Sequence, residues 1–511
     1  MKIIKLFPLL LFGLTYAQDG GLDTTFGTGG KVITSISSGA DVAYSVKLQS
    51  DGKILVAGTT NNTVTGKDFL CLRYNSNGTL DTTFANAGIF TSDLQSGSDD
   101  VAYSLALQSD GKIVLAGFSD DGSNKNAAIL RLNSDGTLDT AFGNSGKTFT
   151  DFIATKADEI KVVKINPLTG TIIVGGKSAT TSTNSQMIIA RYTSAGIIDT
   201  TFGTSGIATI SNSGTIGGGT YSPVIEDLVV KSNGKITASG WYEQQGLNWS
   251  ADVYTCRLNS NGTFDTTYST DGVSYFNGSF NGNDKAFSIL LNSDDSFVLG
   301  GSSDVSAQNY AFALYGITST GTLATPTAQN QRTIGFGSLD VSMNYDLKRD
   351  LLNKFVAVGS TGTSAIKSFA IARVNADYTI DNTFGTSGKV TTTFGSNVLS
   401  EAFDSAIQTD NKIIAVGYSG NDIAIARYKT TYLSTSENNI SNTNIYVKGD
   451  ELIIYSKSKL IGSDYKIYDI SGKLVRNGKL NSTTIPISSL KTGTYFLNIN
   501  DIALNKKFLV K

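Results

Sequence analysis

The sequence predicts an all-β chain: a seven-bladed β-propeller followed by a small C-terminal β-sandwich. Three observations carry this. A phrase, LDTTFG, recurs from Leu22–Gly27 to Ile380–Gly385. Each repeat reads as four short strands joined by Asx-Gly turns. The central strands of the repeat occur seven times, which suits a ring of blades that bury their faces on each other.

The phrase sets the period. Its Asp stands at Asp23, Asp81, Asp139, Asp199, Asp265 and Asp381, at intervals of 58, 58, 60, 66 and 116 residues. The last interval is two periods, with a worn copy at Thr322–Thr325, where Ala324 replaces Asp. A period this regular marks a repeat architecture.

Ahead of the repeats, residues 1–17 read as a secretory signal. Lys2 and Lys5 precede an apolar stretch, Leu6–Leu14, which is too short to span a bilayer, and Ala17 offers a small residue for cleavage. No other stretch is long and apolar enough to suggest a membrane span.

In the first copy, Lys31–Ile36 alternates as a strand, Val42–Leu48 follows, and Ser50-Asp51-Gly52 turns the chain into Lys53–Ala57. Asp68–Tyr74 is the next strand, and Asn75–Gly78 turns toward the next phrase. The core recurs at Ala102–Gly117, Glu159–Gly176, Asp227–Gly240, Ala286–Gly301, Val341–Gly359 and Ala402–Gly417. The propeller is therefore assigned to residues 18–432. After the seventh core no outer strand remains, whereas Lys31–Ile36 arrives before any core can use it. Lys31–Ile36 is expected to complete the seventh blade beside Asp422–Tyr428, which removes two open sheet edges.

Recurrent charges support this closure. Arg73, Arg131, Arg191, Arg257 and Arg373 each precede a phrase Asp by eight residues. In the fifth repeat the pair reads as lost together, to Tyr315 and Ala324. The spacing predicts a charge-assisted contact in each blade. Arg427 and Asp23, each without a partner along the chain, should then pair across the closure.

A second set, Asp41, Asp100, Asp158, Asp284 and Asp340, stands just before the second strand of its repeat. Five carboxylates around a channel could hold Ca²⁺. Asx-type turns account for them more simply, and Pro223 and Ser400 interrupt the set. No cofactor is expected. The chain contains no histidine, which removes His-based triads and His metal ligands. Cys71 and Cys256 read as small buried hydrophobes.

The fourth repeat departs most. Its loops carry both tryptophans, Trp241 and Trp249, with Tyr221 and Tyr242. Aromatic rings gathered on one loop face suit a sugar or an aromatic ligand, and these four residues form the candidate binding site. A hydrophobic clasp over the blade edge is the competing reading.

After a polar linker, residues 433–440, the composition changes. Residues 441–511 hold 11 Lys+Arg against 5 Asp+Glu, in a chain whose net charge is −2. Asn444–Tyr455, Tyr465–Val475, Ser488–Asn500 and Lys506–Lys511 read as the strands of a small sandwich.

The body, with Gln49-x-Asp51-Gly52-Lys53-Ile54-x-Val56-Ala57-Gly58, Arg73-Tyr74-Asn75 and LDTTFG, resembles the delta-60 repeat of bacterial secreted propeller-like proteins. That resemblance implies a fold and no assigned activity. The tail, with Tyr468-Asp469-Ile470-Ser471-Gly472-Lys473, Leu490–Tyr495 and Lys507–Lys511, resembles the type A sorting domain of the type IX (Por) secretion system. It lacks the Pro-Asn-Pro start often seen there. The resemblance implies export across the outer membrane of a Bacteroidetes-type bacterium, with the type IX machinery as partner through 441–511.

The expected function is that of a secreted or cell-surface binding protein for a glycan or protein ligand, not an enzyme. The competing readings are a His-free carboxylate glycosidase and a purely structural or adhesive protein. With a sequence pI of about 5.4, there is no basic field for nucleic acid.

Overall fold

The computed structural model describes residues 19–181, 184–210, 220–221, 223–245, 250–276, 283–306, 309–324, 331–337, 341–430, 443–456, 461–469, 473–499 and 504–510. The signal stretch 1–17, the linker 433–440, Trp249 and Asp340 lie outside the described residues.

Seven antiparallel sheets form the blades; six have four strands, and the fourth blade has a fifth, Thr220–Tyr221, beside its second strand. Blade one is Asp41–Leu48, Ile54–Asn62, Gly66–Tyr74 and Ile89–Ser92, from inner to outer strand. The seven inner strands begin at Asp41, Asp99, Asp158, Val224, Asp284, Met343 and Ser400. Each touches the next, and the strand starting at Ser400 touches the one starting at Asp41, so the ring is closed. The alternation of the repeat places Leu55, Ala57, Phe69 and Cys71 of blade one against Ala102, Leu105 and Leu115 of blade two. The core therefore lies between blades. Both cysteines are buried there as free thiols.

The closure is as the sequence predicts. Lys31–Thr34 pairs antiparallel with Asp422–Tyr428, with Lys31 opposite Ala426, as the outer strand of blade seven. Asp23 Oδ2 lies 2.9 Å from Arg427 Nε, both side chains being buried.

The recurrent Arg does more than pair. Arg73 and Asp81 are 2.7 Å apart, and the Arg73 guanidinium lies over the Phe84 ring at 4.5 Å. Its Nη1 donates to the Ser134 carbonyl of the next repeat, at 2.6 Å. Arg191, Arg257 and Arg427 donate to Ser260, Ser319 and Ser76 in the same way, so each arginine ties one repeat to its neighbour. The Lys of the Asp-Gly-Lys turn joins the acid, as with Lys53 and Asp81 at 3.1 Å.

Two blades correct the pairing rule. In blade four, Asp265 is held by Lys235 at 2.8 Å while Arg257 turns to the Thr237 hydroxyl. In blade five, the strand register places Gly316, not Tyr315, at the arginine position, opposite Val298. Tyr315 points the other way and donates its hydroxyl to Asp284 at 2.7 Å.

One irregularity recurs in every blade. The inner strand slips register once against its neighbour, and the slip leaves out Tyr44, Tyr103, Lys161, Glu226, Phe287, Tyr345 and Phe403 in turn. Such a bulge re-aims the extra side chain. It also explains the glycine that ends the Val-Ala-Gly phrase. A Cβ on Gly58 would stand 1.8 Å from the Val42 carbonyl oxygen, and one on Gly417 the same distance from that of Glu401.

The C-terminal unit begins at Tyr432 and has its own core. One sheet joins Thr443–Lys448, Glu451–Ser456 and Thr484–Pro486; the other orders Leu474–Lys479, Asp464–Asp469, Gly493–Ile499 and Leu504–Val510. Leu452, Ile454, Ile467, Ile485, Leu497 and Ile499 fill the space between them.

Candidate binding face around the central channel

The seven bulges gather their side chains around the ring axis. Five are aromatic and nearly continuous. Phe287 meets Tyr345 at 5.2 Å between ring centroids, Tyr345 meets Phe403 at 5.0 Å, Phe403 meets Tyr44 at 5.3 Å, and Tyr44 meets Tyr103 at 5.0 Å. Mutual tilts of 35–63° give the edge-to-face and tilted arrangements that aromatic rings favour. The collar ends at Lys161, whose ammonium lies 3.8 Å from the Tyr103 centroid. All seven bulge residues are half-buried, so part of each remains accessible.

Charge is concentrated beside the collar and is largely paired. Glu159 lies 2.6 Å from Lys161 and 3.6 Å from Lys177. Burial pushes its carboxyl up, but these two lysines more than offset that and leave it at about 2. Burial holds Glu226 above the usual carboxylate range, against the pull of Lys161 and of Trp241. Glu401 accepts from Lys367 at 2.7 Å and from the Tyr345 hydroxyl at 3.3 Å.

Beneath the collar, the residue after each bulge caps the next blade. The bulge leaves a strand N–H unpaired, and a Ser or Asp from the preceding blade accepts from it. Leu105 N donates to Ser45 Oγ (3.4 Å), Val163 N to Ser104 (3.1 Å), and Ile289 N to Asp227 (3.2 Å). Leu347 N donates to Ser288 (3.2 Å), Ser405 N to Asp346 (3.0 Å), and Val46 N to Asp404 (2.8 Å). In blade three the position is Val162, which has no acceptor side chain. Lys164 neutralises Asp227 at 2.9 Å, while Lys47 and Lys348 flank Asp404 at 3.6 and 3.1 Å.

The sequence-predicted aromatics divide. Trp241 joins the collar face. It pairs with Val224 at the start of the inner strand, donates its indole N–H to Glu226 at 3.1 Å, and lies under the Lys285 ammonium at 3.9 Å. Tyr221 forms a two-residue strand that pairs with Gln244. Tyr242 is a correction: it is 6% exposed in the blade core and donates its hydroxyl to Asp252 at 2.9 Å, so it presents no ring face to a ligand. Strand alternation places it on the opposite side from Trp241.

Of the acidic set, Asp41, Asp100, Asp158 and Asp284 are fully buried. Asp41 accepts from the backbone N–H of Ile36 and Ser37 at 2.7 and 3.1 Å; Leu94 N and Phe152 N do the same for Asp100 and Asp158 at 2.6 and 2.7 Å. These three act locally, fixing the connection that enters each blade. A ring of ligands around the channel would need them turned inward.

Residues 49–84, 108–142, 169–202, 231–268 and 408–431 match a β-propeller family described as a domain of unknown function, DUF5122. Residues 441–511 match the secretion system C-terminal sorting domain. No curated protein matches the chain. Among solved structures, it is similar to PorZ, an essential surface component of the type IX secretion system of Porphyromonas gingivalis. Identity is 13% and the TM-score 0.40, over 98% of this chain and 61% of PorZ. Virginiamycin B lyase from Staphylococcus aureus is 11% identical with a TM-score of 0.42, over 77% of this chain and 98% of that one. Polysaccharide lyase Uly1 is 9% identical with a TM-score of 0.42, over 81% and 94%. No helix among the described residues is long and apolar enough to cross a membrane.

Proposed function

We propose that this chain, a DUF5122-type β-propeller exported to the cell surface or medium through its type IX sorting tail, is a binding protein for a glycan. The observation that carries the reading is the partly exposed collar of Phe287, Tyr345, Phe403, Tyr44 and Tyr103. Aromatic faces beside fixed carboxylates suit a sugar, whose C–H faces stack while its hydroxyls bond to the acids. Trp241 extends this surface in blade four, and the sequence of the same repeat adds Tyr221 and Trp249 as candidate contacts. A protein ligand using the same rings is the competing occupant.

The test is a glycan array with the mature protein, followed by affinity measurements on Tyr44→Ala, Phe403→Ala and the Trp241→Ala/Trp249→Ala double variant. Loss of about 1 kcal/mol or more per ring is expected, with the melting temperature of each variant reported beside it. Absence of glycan binding, or unchanged affinity in all three, would overturn the reading. Because Glu159 and Glu226 differ in proton affinity around one lysine, polysaccharide hydrolysis is measured in parallel. Turnover lost in Glu226→Gln would reassign the site to catalysis.

A further inference from the structure

Asp68, Asp93 and Asp100 meet where blade one abuts blade two. Asp68 lies in the third strand of blade one, Asp93 in the connection leaving its outer strand, and Asp100 in the inner strand of blade two. One carboxylate oxygen of each lies within 4.8 Å of those of the other two. Asp68 is 5% exposed and Asp100 fully buried.

The hydrogen bonds around the three are incomplete at one atom. Asp100 accepts from Leu94 N and from Ser98 Oγ at 2.6 and 2.7 Å, and Asp93 from Gly97 N at 3.0 Å. Asp68 Oδ2 accepts from Thr65 Oγ1 at 2.9 Å, but its Oδ1 is buried with no donor. Among the described residues no Lys or Arg forms an ion pair with any of the three. Lys67 pairs with Asp99, and the Lys147 ammonium is bound to the main-chain carbonyls of Asp93 and Leu94. A buried carboxylate oxygen with no donor, on an acid clustered within 4.8 Å of two further carboxylates, calls for a cation.

The other blades show how this differs from scaffolding. Asp252 occupies the Asp68 position in blade four, and there the Tyr242 hydroxyl caps it. In blade one the residue opposite Asp68 is Thr60, whose hydroxyl goes to Asp41 instead. The corresponding triples after blades two and seven are broken by Asn126 and Ser35. Among the described residues, all three acids coincide only at the junction of blades one and two.

We propose that Asp68, Asp93 and Asp100 bind one divalent cation of calcium's size and thereby clamp blade one to blade two. The donors are all oxygen, as hard cations require. At Ca²⁺–O distances of about 2.4 Å, two oxygens on opposite sides of one ion stand about 4.8 Å apart, so the cluster's spread fits a single ion. Mg²⁺ holds its ligands closer and in stricter octahedral order, which favours calcium here.

The test is calorimetric titration of the purified, chelator-treated full chain with CaCl₂, with thermal unfolding in millimolar Ca²⁺ and in EDTA. Wild type should bind one calcium ion more than Asp68→Asn or Asp93→Asn, or bind it at least about tenfold tighter. Calcium should raise its melting temperature more than theirs. Asp68→Asn keeps the shape and the Thr65 contact, and Asp93→Asn tests the site from its less buried side. Identical titrations in wild type and both variants, or no calcium response in any of them, would overturn the proposal. So would an Asp68→Asn protein that is more stable than wild type in both media, since the three acids would then be sharing a proton.

Discussion

Replacing Asp23 with Asn tests what holds the ring shut. Asp23 is 2% exposed and faces Arg427 at 2.9 Å and Lys412 at 3.4 Å. Asparagine keeps the volume and the acceptor for the Thr25 N–H and hydroxyl, and removes only the charge. Arg427, 6% exposed, is then left with the Ser76 carbonyl, the Thr25 hydroxyl and the Phe26 ring. Removing one partner of a buried ion pair costs about 3–5 kcal/mol. With an unfolding entropy of about 2 cal/mol/K per residue over a propeller of roughly 410 residues, the melting temperature should fall by about 3–6 °C.

The pH dependence carries the sign. Burial raises the Asp23 carboxyl, but the Thr25 bonds, Arg427 and Lys412 bring it below its ordinary value. Its stabilisation is therefore present above the unfolded-state value of about 3.9 and is lost as pH falls through the lowered folded value. Differential scanning calorimetry should show the gap between wild type and variant narrowing in acid. An Asp23→Asn protein melting within about 1 °C of wild type at neutral pH would refute the closure argument. Asp265→Asn is the comparison, because there the acid is held by a partly exposed lysine, and such pairs are worth about 1 kcal/mol or less.

Gly417→Ala should destabilise by more than the usual 1 kcal/mol or so for a point substitution, because its Cβ would meet the Glu401 carbonyl at 1.8 Å; urea unfolding measures it. Asp158→Asn should stabilise the protein above neutral pH and not in acid. Burial, with Asp151 nearby, pushes the Asp158 carboxyl up to about 7, so the native state loses stability as pH rises from the unfolded value through that range. A variant less stable than wild type at pH 8 would count against this. Deleting residues 441–511 should leave the propeller in the periplasm, read by fractionation and immunoblot; normal arrival in the medium would contradict the sorting role.

Much of this was legible in the sequence because repetition turns one ambiguous pattern into seven copies of it. The blade count, the closure by Lys31–Ile36, of which Lys31–Thr34 forms the strand, and the Arg427–Asp23 pair follow from matching what each repeat lacks with what the N-terminus has to spare. The collar was not legible. In Val42-Ala43-Tyr44-Ser45-Val46, simple alternation puts Tyr44 on one face with Val42 and Val46, yet the bulge buries Ala43 and Val46 and leaves Tyr44 half-exposed. The recurrence of an aromatic at Tyr44, Tyr103, Phe287, Tyr345 and Phe403 was the signal available, together with the invariable glycine opposite the bulge. Tyr242 misled because its neighbour Trp241 shares its chemistry, whereas a strand sends the two rings to opposite sides.

The first strand of the propeller is also the last to find its place. Arg427 and Thr25, 402 residues apart, touch only when the whole body of the chain is available. Closing a loop of that length costs about 5 kcal/mol of chain entropy, so this step comes late and waits on the others. A chain emerging N-terminus first would hold six sheets while its leading segment is still unplaced, with the edge of the seventh exposed. Its folding half-time should therefore depend on when residue 428 becomes available, rather than on how fast any single blade forms.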